Sequence, residues 1–195
     1  MKIVYGTVLA LMTMACRPTP SDVLEVAKHA PIEAAPLVAA DVDASHGSIA
    51  GLHTGMDKDQ LLAAGYVITE RSVMQEGDEY LVIDVSLNDG SIIECWFDDG
   101  RIERLRTTAE GLNDAKGIGV GSTLAALKAA YPDGRLITGV EDGRRYASFV
   151  NRSKVVFEMD MKALPQACFH DENIGCDAHP ALRVSGVVVH SGPST

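Results

Sequence analysis

The chain is short of basic residues: 17 Lys and Arg stand against 27 Asp and Glu, which gives a net charge of −10. A protein that neutralises nucleic acid phosphates needs a basic surface patch, and this balance argues against one. We therefore expect no nucleic acid partner. Long apolar runs are also missing after residue 16, so the body of the chain offers no segment of membrane-spanning length.

Motifs for catalysis or cofactor binding are absent too. No Gly-x-Ser-x-Gly pattern marks a nucleophile. The glycine-rich run at residues 117–123 could suit a phosphate, yet it lacks the P-loop lysine and its spacing is not that of a dinucleotide site. A structural turn that feeds a helix explains this run better. The sequence predicts neither an enzyme nor a bound cofactor.

The first sixteen residues have the layout of an export signal. Met1-Lys2 is a short positive start, residues 3–14 are apolar but too short to span a bilayer, and Ala15-Cys16 closes the run. A run of this kind that ends in cysteine resembles a bacterial lipoprotein signal, although Thr13 stands where leucine is usual. The resemblance implies that residues 1–15 are a signal peptide and that acylated Cys16 anchors the protein in the cell envelope, in the outer membrane facing the periplasm. The alternatives are an ordinary secretory peptide and an apolar start that is never cleaved.

Residues 16–47 differ in composition from the rest of the chain. They are rich in Ala, Pro, Asp and Ser and nearly free of aromatic residues. Such a segment cannot bury enough apolar surface to fold alone. We expect a flexible tether here, with the folded part starting near Ser48.

Two stretches, sixty-six residues apart, are nearly the same. Residues 51–66 and 117–132 match at five positions with one offset: Gly51/Gly117, Leu52/Ile118, Gly55/Gly121, Leu61/Leu127 and Ala64/Ala130. The same offset brings Tyr80 onto Tyr146. A match at a fixed period indicates that one structural unit occurs twice. We expect the first unit at residues 48–115 and the second at residues 116–195.

Each unit shows signals for a short helix followed by antiparallel strands. Asp57 is a good N-cap with Gln60 three residues later, and Thr123 or Ser122 has the same role in the second unit. Alternating residues at 80–87 and 92–97 predict strands with one face on a core, and a turn at residues 98–100 leads into a third strand at 101–108. In the second unit we expect strands near residues 145–150, 154–160 and 182–190. The sequence thus predicts an α+β fold of two tandem units, each a short helical segment packed on an antiparallel three- to four-stranded sheet.

This order of elements is similar to that of the SmpA/OmlA (BamE-like) envelope lipoproteins and of the tandem-repeat β-lactamase inhibitory proteins. The residues that carry the resemblance are 55–61, GMDKDQL, and 117–124, GIGVGSTL. It covers roughly residues 48–190 and implies a helix-backed sheet whose open face, often with aromatic residues, binds another protein. The first unit lacks the proline that usually follows the helix.

An insertion of about sixteen residues, near residues 163–180, separates the last two predicted strands of the second unit. It holds Cys168 and Cys176, together with His170, His179 and three acidic residues. The spacing matches no common zinc site, and in an oxidising compartment two cysteines so close in sequence favour a disulfide. A metal site is the alternative. Cys95 is then left over as a small buried apolar residue.

The single tryptophan marks a candidate binding surface. Strand alternation places Trp96 opposite Cys95, on the face away from the helix, together with Tyr80, Glu94 and Arg104. A sheet face with Trp, Tyr and Arg has the composition of an interface centre. The other possibility is that the two units pack together and bury this face.

We therefore expect a lipid-anchored, non-catalytic protein-binding module whose partner is another envelope or exported protein. Its role would be envelope assembly, hydrolase inhibition or toxin immunity. The membrane contact would come from the N-terminal lipid alone. The alternative is a periplasmic sensor of a small ligand or metal built on the insertion, and a cell-wall enzyme has the least support.

Overall fold

The computed structural model describes residues 41–43, 45–75, 77–141, 143–170 and 176–192. Strands dominate these residues, and the two α-helices among them are short, α1 (Lys58–Ala63) and α2 (Leu124–Ala130). The strands are β1 (Asp41–Asp43), β2 (Ser48–Ile49), β3 (Leu52–His53), β4 (Val67–Gln75), β5 (Asp78–Ser86), β6 (Ile92–Asp98), β7 (Arg101–Thr107), β8 (Asn113–Asp114), β9 (Arg135–Glu141), β10 (Arg144–Val150), β11 (Val155–Met159) and β12 (Val184–His190).

Eight of the strands form one large sheet in the order β4-β5-β6-β7-β12-β11-β10-β9. All neighbours in it are antiparallel. The first four strands follow α1 along the chain and the last four follow α2. Strands β7 and β12 join the two runs, with Leu105 opposite Val189 and Arg106 opposite Val188.

The expectation of an α+β fold made of two helix-on-sheet units is wrong. The described residues belong to one compact unit, and its main feature is a continuous sheet to which both halves contribute. A meander that ended at β7 would expose a row of unpaired backbone groups, and pairing with β12 satisfies them. Helices of six and seven residues are also too short to form a layer of their own, and they bury only Leu61 on α1 and Leu124 and Leu127 on α2.

Local signals determine where these helices and hairpins begin. Asp57 and Gln60 form a reciprocal capping box at α1, with both hydrogen bonds 2.9 Å long. The hydroxyl of Thr123 caps α2 by accepting from the backbone N–H of Ala126 at 3.2 Å. Asp99 and Gly100, at φ 45° and 73°, form the two-residue turn between β6 and β7. Positive φ at both positions matches the right-handed twist of the hairpin strands.

One face of the large sheet carries the hydrophobic core. In β6 the alternation is clear, because Ile93 and Cys95 are fully buried and Phe97 is 6% exposed, while the residues between them are not buried. The other strands supply the same face with apolar side chains, among them Ile83, Val85, Leu105, Phe149, Phe157, Val187 and Val189. The buried leucines of both helices pack into this cluster.

A small second sheet, in the order β3-β2-β1-β8, begins N-terminal to the expected domain boundary. β1 pairs antiparallel with β2 and parallel with β8, and Val42 on β1 is only 2% exposed. Residues 41–43, which the expected tether at residues 16–47 included, thus pair with both β2 and β8 in this sheet. Residues 1–40, which hold the predicted signal peptide, Cys16 and most of the predicted tether, lie outside the described residues.

The insertion between β11 and β12 consists of three single 3₁₀ turns where it is described, Met161–Ala163, Gln166–Phe169 and Cys176–Ala178. The predicted disulfide between Cys168 and Cys176 is confirmed, with 5.7 Å between the two Cα atoms. Cys168 and Phe169 are buried in the core cluster. The insertion is thus attached to the core at its disulfide.

Candidate functional site: the open face of the large sheet

The face of the large sheet that points away from the core is called the open face below. It presents the residues that alternate with the core positions, among them Arg71, Val73 and Gln75 on β4, Tyr80, Val82 and Asp84 on β5, Glu94 and Trp96 on β6, Arg104 and Arg106 on β7, Val188 and His190 on β12, and Glu158 on β11. Val82 and Val188 are buried here, at 0% and 5% exposure, although neither belongs to the core cluster. The long polar side chains of the open face therefore cover these two buried valines.

A row of alternating charges crosses the open face. Asp84 accepts from Arg71 at 2.9 Å, and Arg71 also contacts Glu94 at 3.3 Å. Arg106 then joins Glu94 to Glu158, with 2.9 Å to each carboxylate. The five side chains are only 23–37% exposed. Such partly buried pairs are screened less by salt than pairs on an open surface.

A glycine allows this row to cross β12. Glu158 lies directly opposite Gly186, and β12 separates it from Arg106 on β7. A Cβ atom at position 186 would lie 2.3 Å from Oε2 of Glu158. Because glycine has no such atom, the Glu158 carboxylate can lie across β12 and meet the Arg106 guanidinium.

Trp96 lies at the centre of an aromatic and cationic cluster. The Arg104 guanidinium lies over its ring, 4.1 Å from the centroid, and the Tyr80 ring is tilted against it at 6.1 Å. The indole N–H donates to Glu94 at 3.2 Å, which connects the cluster to the charge row. A guanidinium over a tryptophan face is a favourable cation–π contact. The cluster thus holds the indole in one orientation while leaving it partly exposed.

The large sheet is concave on this side. Arg104 on β7 donates to the side-chain oxygen of Gln75 on β4 at 3.4 Å, although β5 and β6 lie between these strands. A cavity of about 500 Å³ occupies the concavity, lined by Gln75, Glu94, Trp96, Arg104, Arg106, Glu141, Arg144, Arg145, Tyr146 and Glu158. Its lining extends from β4 at one edge of the sheet to β9 at the other. A volume of this size falls in the range of ligand-binding clefts.

Burial affects the titration of Arg104 and its cross-strand neighbour. Removal from water lowers the pKa of Arg104, against the attraction of Glu103 and Glu158. His190 lies opposite Arg104 in the β7–β12 ladder. Burial, and secondly the charge of Arg104, lower the pKa of His190 below its ordinary value of 6.5. His190 is therefore mostly neutral at pH 7.

The structure brings together the four predicted binding residues, Tyr80, Glu94, Trp96 and Arg104. Sequence reasoning missed the charge row around them, which is formed by Arg71, Asp84, Arg106 and Glu158 with Glu94. The sequence does show charges of opposite sign at alternate positions of neighbouring strands, and this pattern could have indicated cross-strand ion pairs. The pairing partners could not be assigned, because Arg106 and Glu158 are 52 residues apart and meet only through strand order.

A second cavity, of about 860 Å³, lies beside the small sheet. Its polar side chains bond to one another, which indicates a structural role for them. Tyr131 donates its hydroxyl to buried Asp114, and burial raises the pKa of Tyr131. Asp114 also accepts from the backbone N–H groups of Lys116 and Ile118, at 2.8 Å and 2.9 Å. The Lys116 ammonium lies over the Tyr131 ring at 3.9 Å. These groups satisfy one another and form a closed local network.

Neither a metal cluster nor a membrane-spanning helix occurs among the described residues. The metal alternative rested on the insertion, where residues 171–175 lie outside the described part. His170 contacts the Gln166 side chain at 3.3 Å, and both insertion cysteines are used in the disulfide. Cys95 is free, and burial raises the pKa of its thiol to about 12, which makes it a poor nucleophile.

No protein-family model and no curated protein matches the chain. Among solved structures, it is similar to the crystal structure of the uncharacterized protein yfeY from Escherichia coli, with a TM-score of 0.53 and 14% sequence identity. The match covers 77% of this chain and 98% of the other. At this identity the likeness concerns the fold alone.

Proposed function

We propose that this protein is a non-catalytic binding module that recognises another protein through the open face of its large sheet. The observation that carries the proposal is the Trp96 cluster inside a concave cavity. Trp, Tyr and Arg are the residue types that dominate binding energy at protein interfaces. Here they lie together on a face that the core does not use.

Preorganisation supports the same proposal. Arg104, Glu94 and Tyr80 hold the indole of Trp96 before any partner arrives. A side chain that is already ordered loses little conformational entropy on binding. The charge row adds polar groups of both signs around the aromatic centre, which suits recognition of one partner over others.

The proposed setting is the cell envelope, with Cys16 as the lipidated residue. This part of the proposal rests on the sequence of residues 1–16 and is tested separately. Replacement of Cys16 by Ser should abolish labelling by a palmitate analogue in cells. Unchanged labelling of that variant would remove the lipoprotein assignment, and the proposed binding face would be unaffected.

The binding role is tested by site-specific photo-crosslinking in intact envelopes. A photoreactive residue at Tyr80 should give one discrete adduct, and the same residue at Leu62, which is 51% exposed on α1, should not. With the partner identified from the adduct, Trp96→Ala should weaken binding by about 2 kcal/mol or more. Leu62→Ala is the matched control and should leave affinity unchanged.

Stability must be measured with the same variants. Trp96 is partly exposed, so Trp96→Ala should cost less than the roughly 3–5 kcal/mol of a fully buried aromatic residue. A cost of that full size would mean that Trp96 acts as a core residue. Equal affinity of Trp96→Ala and wild type for the crosslinked partner would exclude this face as the interface.

A further inference from the structure

Arg104 differs from the other two arginines that cross the open face. Arg71 and Arg106 each contact two carboxylates. Arg104 forms no ion pair within the described residues; it has the Trp96 ring beneath it and one long hydrogen bond to Gln75. Its Nε atom is buried and has no hydrogen-bond partner among these residues. A buried donor without an acceptor costs free energy unless something else fills the position.

The two carboxylates of the cavity lining that attract Arg104, Glu94 and Glu158, are already engaged. Glu94 binds Arg71, Arg106 and the indole N–H of Trp96, and Glu158 binds Arg106 through both oxygens. Neither can turn to Arg104 without breaking the charge row. Neither carboxylate is therefore free to pair with Arg104 as the structure stands.

The far side of the cavity is also rich in arginine. Among the described residues, Arg144, Arg145 and Glu141 line it. Arg144 forms no ion pair within the described part of the chain. The Arg145 guanidinium lies over the ring of Phe169, 5.0 Å from its centroid, and Phe169 belongs to the core cluster, so this charge is directed away from the open face. The lining holds four arginines and three glutamates, and Arg104 and Arg144 are two of its arginines that pair with no described carboxylate. These two guanidinium groups attract an anionic group at close range.

We propose that the cavity receives an acidic segment of the partner protein, with one carboxylate bound by the Arg104 guanidinium and a neighbouring apolar side chain against Trp96. This inference rests on the proposed function and names the chemistry of its partner. Carboxylate is the acceptor that fits the planar donors of arginine. The lining spans the sheet from β4 to β9, which suits an extended segment better than a compact small molecule.

The test uses Trp96 as its own reporter, since it is the only tryptophan of the chain. The full chain is titrated with two seven-residue peptides, acetyl-Gly-Glu-Leu-Glu-Leu-Glu-Gly-amide and the same peptide with Gln in place of each Glu. The acidic peptide should change the Trp96 emission with saturation, and the Gln peptide should bind at least ten-fold more weakly. Higher salt should weaken only the acidic peptide.

Variants identify the residue that receives the carboxylate. Arg104→Gln should lose at least ten-fold in affinity for the acidic peptide. Arg152→Gln makes the same change of charge at a side chain that is 91% exposed and lies outside the cavity, so it should bind as wild type does. If Arg104→Gln folds poorly, Arg104→Lys keeps the charge but lacks Nε and should show an intermediate loss.

Three outcomes would overturn the proposal. The first is that the acidic and Gln peptides bind equally or that neither binds. The second is that Arg104→Gln binds the acidic peptide as tightly as wild type does. The third is that sodium succinate binds as tightly as the acidic peptide, which would identify a small carboxylate as the occupant. Capture of the crosslinked partner separates this inference from the proposed function. If partner capture is lost in Trp96→Ala but unchanged in Arg104→Gln, the inference is refuted and the proposed function stands. If partner capture is unchanged in both variants, the proposed function is refuted.

Discussion

Arg106 is the residue on which the charge row depends, and its replacement gives a quantitative prediction. Its Nη1 lies 2.9 Å from Glu94, and its Nε and Nη2 lie 3.0 Å and 2.9 Å from the Glu158 carboxylate. Arg106→Gln would remove both ion pairs and leave two carboxylates without this cation. We expect a loss of stability that exceeds the effect of an ordinary surface charge.

The magnitude follows from the exposure of the three side chains, 28% for Arg106, 23% for Glu94 and 33% for Glu158. Two charges about 4 Å apart attract by roughly 4 kcal/mol at an effective dielectric constant of about 20, before desolvation. Exposed pairs retain about 0.2–1 kcal/mol of this, while breaking a fully buried pair costs about 3–5 kcal/mol. The ion pairs of Arg106 are intermediate in burial between these two cases, so we expect Arg106→Gln to lower the free energy of unfolding by about 2 kcal/mol.

Urea denaturation followed by Trp96 fluorescence and by circular dichroism measures this change. The double variant with Glu158→Gln should reveal a coupling energy of about 1 kcal/mol between the two positions. Arg152→Gln is the control and should stay within about 0.5 kcal/mol of wild type. A cost for Arg106→Gln no larger than that of the control, or strictly additive effects in the cycle, would refute the idea that the row stabilises the sheet.

Three further predictions concern other parts of the fold. Mass spectrometry of unreduced protein should find Cys168 joined to Cys176 and Cys95 unreacted, and joint replacement of Cys168 and Cys176 by Ala should cost about 2.5 kcal/mol in the chain-entropy model; a bridge to Cys95 would contradict this. Gly186→Ala should displace the Glu158 carboxylate and cost about 1 kcal/mol, and the cost should vanish in a Glu158→Ala background, where a persistent effect would indicate a backbone cause. Because burial and Arg104 lower the pKa of His190 below 6.5, the unfolded chain takes up a proton before the native chain does, so stability contributed by neutral His190 is present above pH 6.5 and lost as pH falls below it. His190→Gln should therefore lose less stability than wild type between pH 7.5 and 5.5, and equal losses would show that His190 is not the group responsible.

Much of the local structure could be predicted because it depends on neighbours in the sequence. The capping box of Asp57 and Gln60, the turn at Asp99-Gly100 and the alternation around Trp96 all involve contacts within a few residues. The Cys168–Cys176 disulfide belongs to the same group, since eight positions separate its ends. The residues that make these interactions are close neighbours in the sequence, so the sequence pattern itself indicates which of them will meet.

The two edge strands of the large sheet escaped prediction for a physical reason. Every residue of β4 and of β9 is partly or fully exposed. A strand without a buried face leaves no strict alternation of apolar and polar residues in the sequence. Each is held by backbone pairing with one neighbour, which sequence periodicity does not record.

The sequence alone determined the helix starts, most of the inner strands, the faces of β6 and the chemistry of the insertion cysteines, because each depends on side chains close together along the chain. Only the tertiary structure decided that β7 pairs with β12, and this one pairing turns two expected units into one sheet. The same pairing brings Arg106 to Glu158 and sets His190 opposite Arg104. Strand partners distant in sequence are chosen by which edges can satisfy each other's backbone groups while burying a common core, and that choice exists only in the assembled fold.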